Sequence, residues 1–370
     1  MTMTAALLAF LDLASFSQGE NSRPSDERIE ESVKKGLTFL RAREKEDRAA
    51  GRPKVPRELV LWTLIVSGTP LQDPFCERLF DETVSAKPDA TFPVALQAII
   101  LESLDRVRFA LPIAKCAKFL ADNQTEEGAW GHGSPSIYVD DIEYGIRRRP
   151  ILRLPEAPQD PRVLNRVRIK QDRRGEEADP WDSFFAALGL RAAQDAGCVV
   201  ESPVVRTAVE AWKDGRVGSR EANRWKGSRW TEAPPAAVTA SAVSSLLIYS
   251  HLLREDPRRD PAILGGADVL ARSWHGGLLR TGGELHPAGL FAVGVAARLL
   301  DLPTLADQDW FAEGARLLLG AQRPDGSWRA ATGDDAAEWD TCFVILFLKK
   351  AAVPQKSSPG RAPTPTRPEW

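Results

Sequence analysis

The chain has 370 residues, a formal net charge of −2 and a pI near 6.2. Because proteins that bind nucleic acid usually carry a clear basic excess, this balance gives no reason to expect nucleic acid as a partner. Hydrophobic residues make up 43% of the chain, which is enough to bury a sizeable core in one large domain or two ordinary ones.

The N-terminal residues, 1–28, are predicted to be a leader outside the folded part. Residues 5–14 are apolar but too few to cross a bilayer, which takes about 20 apolar residues. They fit the h-region of a secretory signal, with residues 15–17 (SFS) as a small-x-small cleavage site. However, Asp12 interrupts the stretch and no Lys or Arg precedes it. Export and a cytoplasmic location both stay open, and no other segment has the pattern of a transmembrane span.

From residue 29 to 351, apolar residues recur at helical spacing in segments separated by Gly-, Pro- and Asp-rich turns. Strand-like alternation is almost absent. Six successive helix pairs are predicted, at 29–43 with 57–66, 75–84 with 91–104, 111–120 with a helix opening at 181, 204–212 with 236–253, 262–274 with 287–300, and 310–319 with a helix after 339. Stacked hairpins of this kind predict an all-α fold, an α/α toroid or (α/α)6 barrel in one domain. The second member of each pair is the more continuously apolar, so these six are predicted to form an inner ring.

Two stretches fall outside the pairs. Residues 132–179 are an insertion, and its middle, Arg147–Arg174, holds ten Arg or Lys and three acids. This block fits either a solvated loop or a site for an anion such as a diphosphate. The tail, 352–370, is rich in Pro and is predicted to be disordered.

A Gln-x-x-x-Gly-x-Trp turn occurs twice at identical spacing. Gln at a helix end can satisfy free backbone groups, Gly tolerates a positive φ, and Trp can cover the junction between hairpins. The pattern therefore predicts a structural staple more readily than a Trp-lined ligand wall. Its residues are Gln124, Gly128 and Trp130 in the first copy and Gln322, Gly326 and Trp328 in the second.

The stretch QRPDGSW at 322–328, followed by DTCFVILFL at 340–348, resembles the repeat of the squalene-hopene and oxidosqualene cyclases and of protein prenyltransferase β-subunits. The resemblance covers about residues 29–351. It implies an α/α toroid and a hydrophobic, isoprenoid-like small molecule as the ligand. It is specific for fold and says less about activity, because one fold hosts many functions.

The resemblance to the cyclases also implies an Asp-x-Asp-Asp motif, whose central acid protonates an alkene or epoxide. This sequence lacks it: Tyr138 precedes the Asp140–Asp141 pair at the required position, and Thr332 precedes the pair Asp334 and Asp335. Both pairs are predicted to lie in loops, where Asp commonly serves turn chemistry. They stay candidate proton donors, provided that their surroundings raise the pKa.

Asp182 and Asp340 occupy equivalent places in two repeats, since each follows a Trp and precedes Ser or Thr at the start of an inner helix. The pattern predicts helix N-caps. The alternative is an acid at the mouth of the toroid cavity.

The resemblance to protein prenyltransferases implies a zinc ion held by Asp, Cys and His. The turn at 276–281 has a similar Gly-Gly step and His286 follows it, but no Cys lies nearby. The other His, at 132, 251 and 275, form no pair at helical spacing, and the four Cys form no CxxC pair. Neither a metal nor a cofactor is predicted.

These observations predict a squalene-cyclase-like repeat protein that binds an isoprenoid-like molecule, and they leave catalysis undecided. A non-catalytic exported scaffold or interaction module is one alternative. A polysaccharide-processing (α/α)6 enzyme with a carboxylate pair is another. Whether the chain has a protein partner stays unknown.

Overall fold

A computed structural model describes residues 23–51, 55–142, 167–215, 217, 235–274, 280–281, 284–329 and 336–351. Residues 1–22 of the predicted leader, the Arg-rich stretch at 143–166, Asp334, Asp335 and the Pro-rich tail lie outside these residues. The described helices are α1 Asp26–Ala49, α2 Arg57–Val66, α3 Pro74–Ser85, α4 Thr91–Asp105, α5 Ala110–Asp122, α6 Pro180–Asp195, α7 Ser202–Lys213, α8 Pro235–Leu253, α9 Pro261–Ser273, α10 Pro287–Leu299, α11 Trp310–Ala321 and α12 Ala336–Leu348. The described strands are short: β1 Val167–Ile169 pairs in parallel with β2 Cys198–Val200, and β3 Arg280–Thr281 pairs antiparallel with β4 Glu284–Leu285.

The all-α prediction is confirmed, and each of the twelve predicted segments corresponds to one of these helices. The largest difference is in α1, which runs to Ala49 and not to residue 43. Its last turns carry almost no apolar residues, but Arg48 Nη2 lies 2.7 Å from Glu82 Oε1 of α3. Contacts with a neighbouring helix therefore extend α1 beyond the apolar pattern.

Several helices begin at an Asp-Pro step. The Asp side chain accepts hydrogen bonds from backbone N–H groups of the first turn, and Pro fits the first helical position because its missing N–H would have no partner there. Asp73 caps α3 in this way, Asp179 caps α6 and Asp260 caps α9. These steps fix where the helices start.

The second helices of the six pairs contact one another in sequence order. α2 contacts α4, α4 contacts α6, α6 contacts α8, α8 contacts α10, α10 contacts α12, and α12 contacts α2. The first helices pack on these six: α1 on α12, α3 on α2 and α4, α5 on α4 and α6, α7 and α9 on α8, and α11 on α10. Burial follows the same division, since α4, α6, α10 and α12 are buried over most of their length.

Aromatic side chains from four of the second helices fill the space between these helices. Ring centroids of successive members lie between 4.5 Å, for Phe92 and Phe185, and 6.5 Å, for Phe184 and Phe291. Aromatic rings at these separations are in direct contact. The cluster also contains Trp181, Trp339 and Phe343, and Trp62 of α2 joins it by an edge contact with Phe291.

The two described flanks of the insertion, 132–142 and 167–179, are held against α5. Lys118 of α5 is 3% exposed, and its Nζ lies 2.7 Å from Asp122 Oδ1 and 2.6 Å from Asp172 Oδ2. Asp122 also accepts a hydrogen bond from Ser136 Oγ at 2.6 Å. One buried ion pair thus connects both flanks to the same helix.

Within the described residues, no helix combines the length and the apolar character that a bilayer crossing requires.

Candidate functional site

The first Gln-x-x-x-Gly-x-Trp turn joins the end of α5 to α7. Gln124 Nε2 donates to Gly128 O at 3.2 Å within the turn and to Val204 O of α7 at 2.8 Å. Trp130 Nε1 donates to Leu120 O of α5 at 2.6 Å. Gln124 and Trp130 are fully buried. The turn therefore ties the third helix pair to the fourth.

The second turn makes the same contacts between the last pair and the first. Gln322 Nε2 donates to Gly326 O at 3.0 Å and to Ser32 O of α1 at 2.9 Å. Trp328 Nε1 donates to Leu318 O of α11 at 2.7 Å. This copy connects the C-terminal part of the chain to its N-terminal helix.

Both turns need glycine at their fifth position, because the backbone there is left-handed and lies close to a neighbouring helix. Gly128 has φ +94° and Gly326 has φ +88°. A Cβ on Gly128 would lie 2.2 Å from Thr207 O, and a Cβ on Gly326 would lie 2.5 Å from Lys35 O. Each Cβ would collide with the backbone of a neighbouring helix.

The recurring Trp-Asp-Ser/Thr sequence belongs to these turns. Trp130 N donates to Ser183 Oγ at 2.9 Å, and Trp328 N donates to Thr341 Oγ1 at 3.1 Å. In each copy, the hydroxyl of the residue that follows the Asp therefore accepts a hydrogen bond from the backbone of the Trp in the Gln-x-x-x-Gly-x-Trp turn. This contact gives a structural reason for the repeated motif.

The prediction that Asp182 and Asp340 are N-caps is wrong. Asp179 caps α6, since its Oδ1 accepts from Trp181 N at 2.8 Å and from Asp182 N at 3.1 Å. Asp182 lies in the first turn of α6, and Asp340 is the fifth residue of α12. The Asp179-Pro180 step is the signal that would have located the cap.

Asp182 is a partly exposed carboxyl with a strongly perturbed pKa. Desolvation, together with the smaller effect of the negative charges of Asp179 and Glu177, raises the pKa of Asp182 from 3.8 to about 8. An acid with such a pKa stays protonated at neutral pH. Asp182 can therefore donate a hydrogen bond or a proton at pH 7.

Asp140 and Asp141 lie in solvent. Both residues are exposed, and the Asp140 side chain retains 86% of its accessible surface with Lys115 Nζ 3.7 Å away. Asp334 and Asp335 lie outside the described residues.

A cleft with a volume of about 1050 Å³ lies between α1, α2, α3, α4, α12 and the segment that follows Trp130. Apolar side chains of its wall include Leu40, Val60, Val94 and Trp339. Among the described residues, six acidic and three basic side chains also line it: Glu44, Asp47, Glu58, Glu82, Asp89 and Glu338 against Arg48, Arg57 and Lys87. The side chains that the structure describes in this cleft thus combine apolar surface with more acidic than basic groups.

Two of these carboxyls are buried at the N-terminal ends of their helices. Glu58 is 4% exposed, and its Oε1 accepts from Arg57 Nε at 3.0 Å. Burial raises the pKa of Glu58 and Arg57 partly offsets this effect. Glu338 is also 4% exposed, and its Oε1 accepts from Arg43 Nε at 2.8 Å. Its Oε2 is buried and has no hydrogen-bond partner among the described residues.

Sequence reasoning missed Glu58 and Glu338. Each is a charged residue in the first turn of a helix that is otherwise almost entirely apolar, which is an available signal. Neither belongs to a pair or a repeat, and only the packing of five helices brings them into one cleft.

In the part of the chain that the structure describes, three or more His, Cys, Asp or Glu side chains do not come together in an arrangement that would hold a metal ion. His286 caps α10 by accepting from Gly289 N at 2.9 Å, and desolvation lowers its pKa. The predicted Gly-Gly turn lies largely outside the described residues.

Comparisons with family models, with curated proteins and with solved structures give no match for this chain.

Proposed function

We propose that the chain is an α/α toroid that binds an isoprenoid-like small molecule in the cleft between α1, α2, α3, α4 and α12. The closed sequence of contacts from α2 round to α12 and back to α2 supports six hairpins arranged as a ring. The second Gln-Trp turn supports the same arrangement, because it connects α11 to α1.

The observation that carries the proposal is the cleft itself. Its volume of about 1050 Å³ lies at the upper end of the range for small-molecule sites, and its wall combines apolar side chains with a few buried polar groups. Trp339 extends from the aromatic cluster to this wall, where it gives a large flat surface for an apolar chain.

Because the aromatic cluster occupies the centre of the proposed ring, we expect the ligand to bind in the cleft and not at that centre. Phe184, Phe185, Phe291 and Phe343 are at most 3% exposed and in mutual contact. A squalene-sized molecule would have to displace several of these rings. Binding in the cleft requires no such rearrangement.

The proposal is for binding and leaves catalysis aside. The sequence has no Asp-x-Asp-Asp motif, and Asp182, the acid with the strongly raised pKa, does not line the cleft. The filled centre also favours a second candidate, a non-catalytic interaction module, for which the cleft would receive a segment of another protein.

A cleft-filling variant tests the proposal. Ala86 is partly exposed on the cleft wall, so Ala86→Trp fills the cleft without disturbing buried packing. Ala42→Trp is the matched control, because Ala42 is exposed on α1 away from the cleft. Isothermal titration with farnesol is expected to show binding to the wild type and to the control, with at least about tenfold weaker binding to Ala86→Trp. Absence of binding to the wild type would refute the proposal.

A further inference from the structure

We propose that Glu338 binds the protonated amine of an amphiphilic ligand whose apolar part lies in the same cleft. This inference rests on the proposed function and adds the chemical class of the ligand head group. It starts from the one oxygen of Glu338 that the described residues leave without a partner.

Glu338 is an unusual carboxylate because its two oxygens have different environments. Oε1 accepts from Arg43 Nε at 2.8 Å, whereas Oε2 is buried without a donor among the described residues. A buried acceptor with no hydrogen bond is destabilising, more so when it carries charge, so such groups in a folded protein call for an explanation. A donor supplied by a ligand in the cleft would satisfy Oε2.

The nearby cations are already committed to other carboxylates. Arg43 Nη1 donates to Glu46 at 2.8 Å in addition to its contact with Glu338. Arg48 Nη2 lies 2.7 Å from Glu82 Oε1, and Arg57 Nε lies 3.0 Å from Glu58 Oε1. These pairs leave Glu338 Oε2 to a donor from outside the described residues.

The charge of the cleft decides between a neutral and a cationic donor. Six acidic side chains line the described wall against three basic ones, and Arg43 and Arg78 pair with three of these acids from outside it, so the described wall keeps a small excess of negative charge, which attracts cations and repels anions. An ammonium group bound to a carboxylate also forms a stronger hydrogen bond than a hydroxyl does. The combination of acidic wall, buried acceptor oxygen and apolar surface therefore selects an apolar amine.

Three probes with one apolar chain and different head groups test the inference: farnesylamine, farnesol and farnesyl diphosphate. We expect farnesylamine to bind about tenfold or more tightly than farnesol at pH 7, and farnesyl diphosphate to bind most weakly. Glu338→Gln keeps the size of the side chain and its ability to accept from Arg43, but removes its charge. It is expected to abolish most of the preference for the amine while changing farnesol affinity less than about threefold.

Glu46→Gln is the matched control. Glu46 is the other carboxylate partner of Arg43 and does not line the cleft. It is expected to leave the amine preference unchanged, and circular dichroism checks that both variants fold.

The outcomes separate the two proposals. Equal affinities for amine and alcohol, unchanged in Glu338→Gln, would mean that a ligand in the cleft does not bind Oε2 and would overturn this inference while the proposed function stands. Binding of benzylamine that depends on Glu338, without binding of any farnesyl probe, would support the cation site and overturn the isoprenoid-like ligand. No binding of any of the four compounds would overturn both.

Discussion

Replacing Lys118 with Met removes the buried cation that connects α5 to both flanks of the insertion. Lys118 Nζ lies 2.7 Å from Asp122 Oδ1, 2.6 Å from Asp172 Oδ2 and 2.9 Å from Lys170 O. Met has a similar shape but no charge, so Lys118→Met leaves Asp122, which has no solvent exposure, without its counter-ion.

The expected cost follows from the surroundings of the two acids. Removing one partner of a buried ion pair typically costs about 3–5 kcal/mol. Asp122 keeps hydrogen bonds from Ser136 Oγ at 2.6 Å and from Asp172 N at 2.8 Å, and the side chain of Asp172 is 46% exposed. These contacts place the expected loss of unfolding free energy at the lower end, about 3 kcal/mol.

Urea denaturation followed by circular dichroism measures this loss. The control is Lys115→Met on the same helix, where the Lys lies 3.7 Å from the exposed Asp140 and is expected to contribute less than about 0.5 kcal/mol. Adding Asp122→Asn to Lys118→Met removes the uncompensated charge, so the double variant is expected to lose less than the sum of the single losses. A loss below about 1 kcal/mol for Lys118→Met, or equal losses at positions 115 and 118, would refute this reasoning.

Three further predictions concern the turns, an acid and the thiols. Gly326→Ala should lower the unfolding free energy by more than about 2 kcal/mol, because the strain of the left-handed backbone and the collision with Lys35 O add up. The control Gly51→Ala, with φ +66° and open space around it, should lower it by only about 1 kcal/mol in the same denaturation assay. Equal losses would contradict the role of this turn as a structural staple. The pKa of Asp182 is about 8 in the folded chain and near 4 in the unfolded chain. Between about pH 4 and pH 8, the unfolded chain therefore releases a proton that the folded chain keeps. The stability of the folded chain falls as pH rises across this window. Melting temperatures of Asp182→Asn should therefore exceed those of the wild type by a margin that grows from pH 4 to pH 8 and then levels off, and a margin independent of pH would contradict the raised pKa. All four Cys are buried and their thiols have raised pKa values. Ellman's reagent should therefore detect essentially no reactive thiol in the native protein and four after denaturation. Fast reaction of any of the four thiols in the native protein would contradict this packing.

The helices were predictable because apolar periodicity and turn residues decide them locally. The end of α1, residues 44–49, was not, since its charged residues pair with α3 and show no periodic pattern of their own. The repeated Asp182 suggested the wrong N-cap for α6, because the local capping signal is the Asp179-Pro180 step.

The turns and the cleft differ in how far sequence can reveal them. Gln322, Gly326 and Trp328 form a compact motif whose residues bind each other and one neighbouring helix, so their spacing already indicates a structural role. Glu58 and Glu338 are 280 positions apart and meet only because their helices border one cleft. Their burial and the unpartnered oxygen of Glu338 are tertiary properties that no local pattern encodes.

A crystal structure of the protein with farnesol tests the central claim most directly. The account predicts ligand density in the cleft, in contact with Trp339 and Val94, and an aromatic cluster with Phe185 and Phe291 in place. Density inside the aromatic cluster, with those two rings displaced, would contradict it.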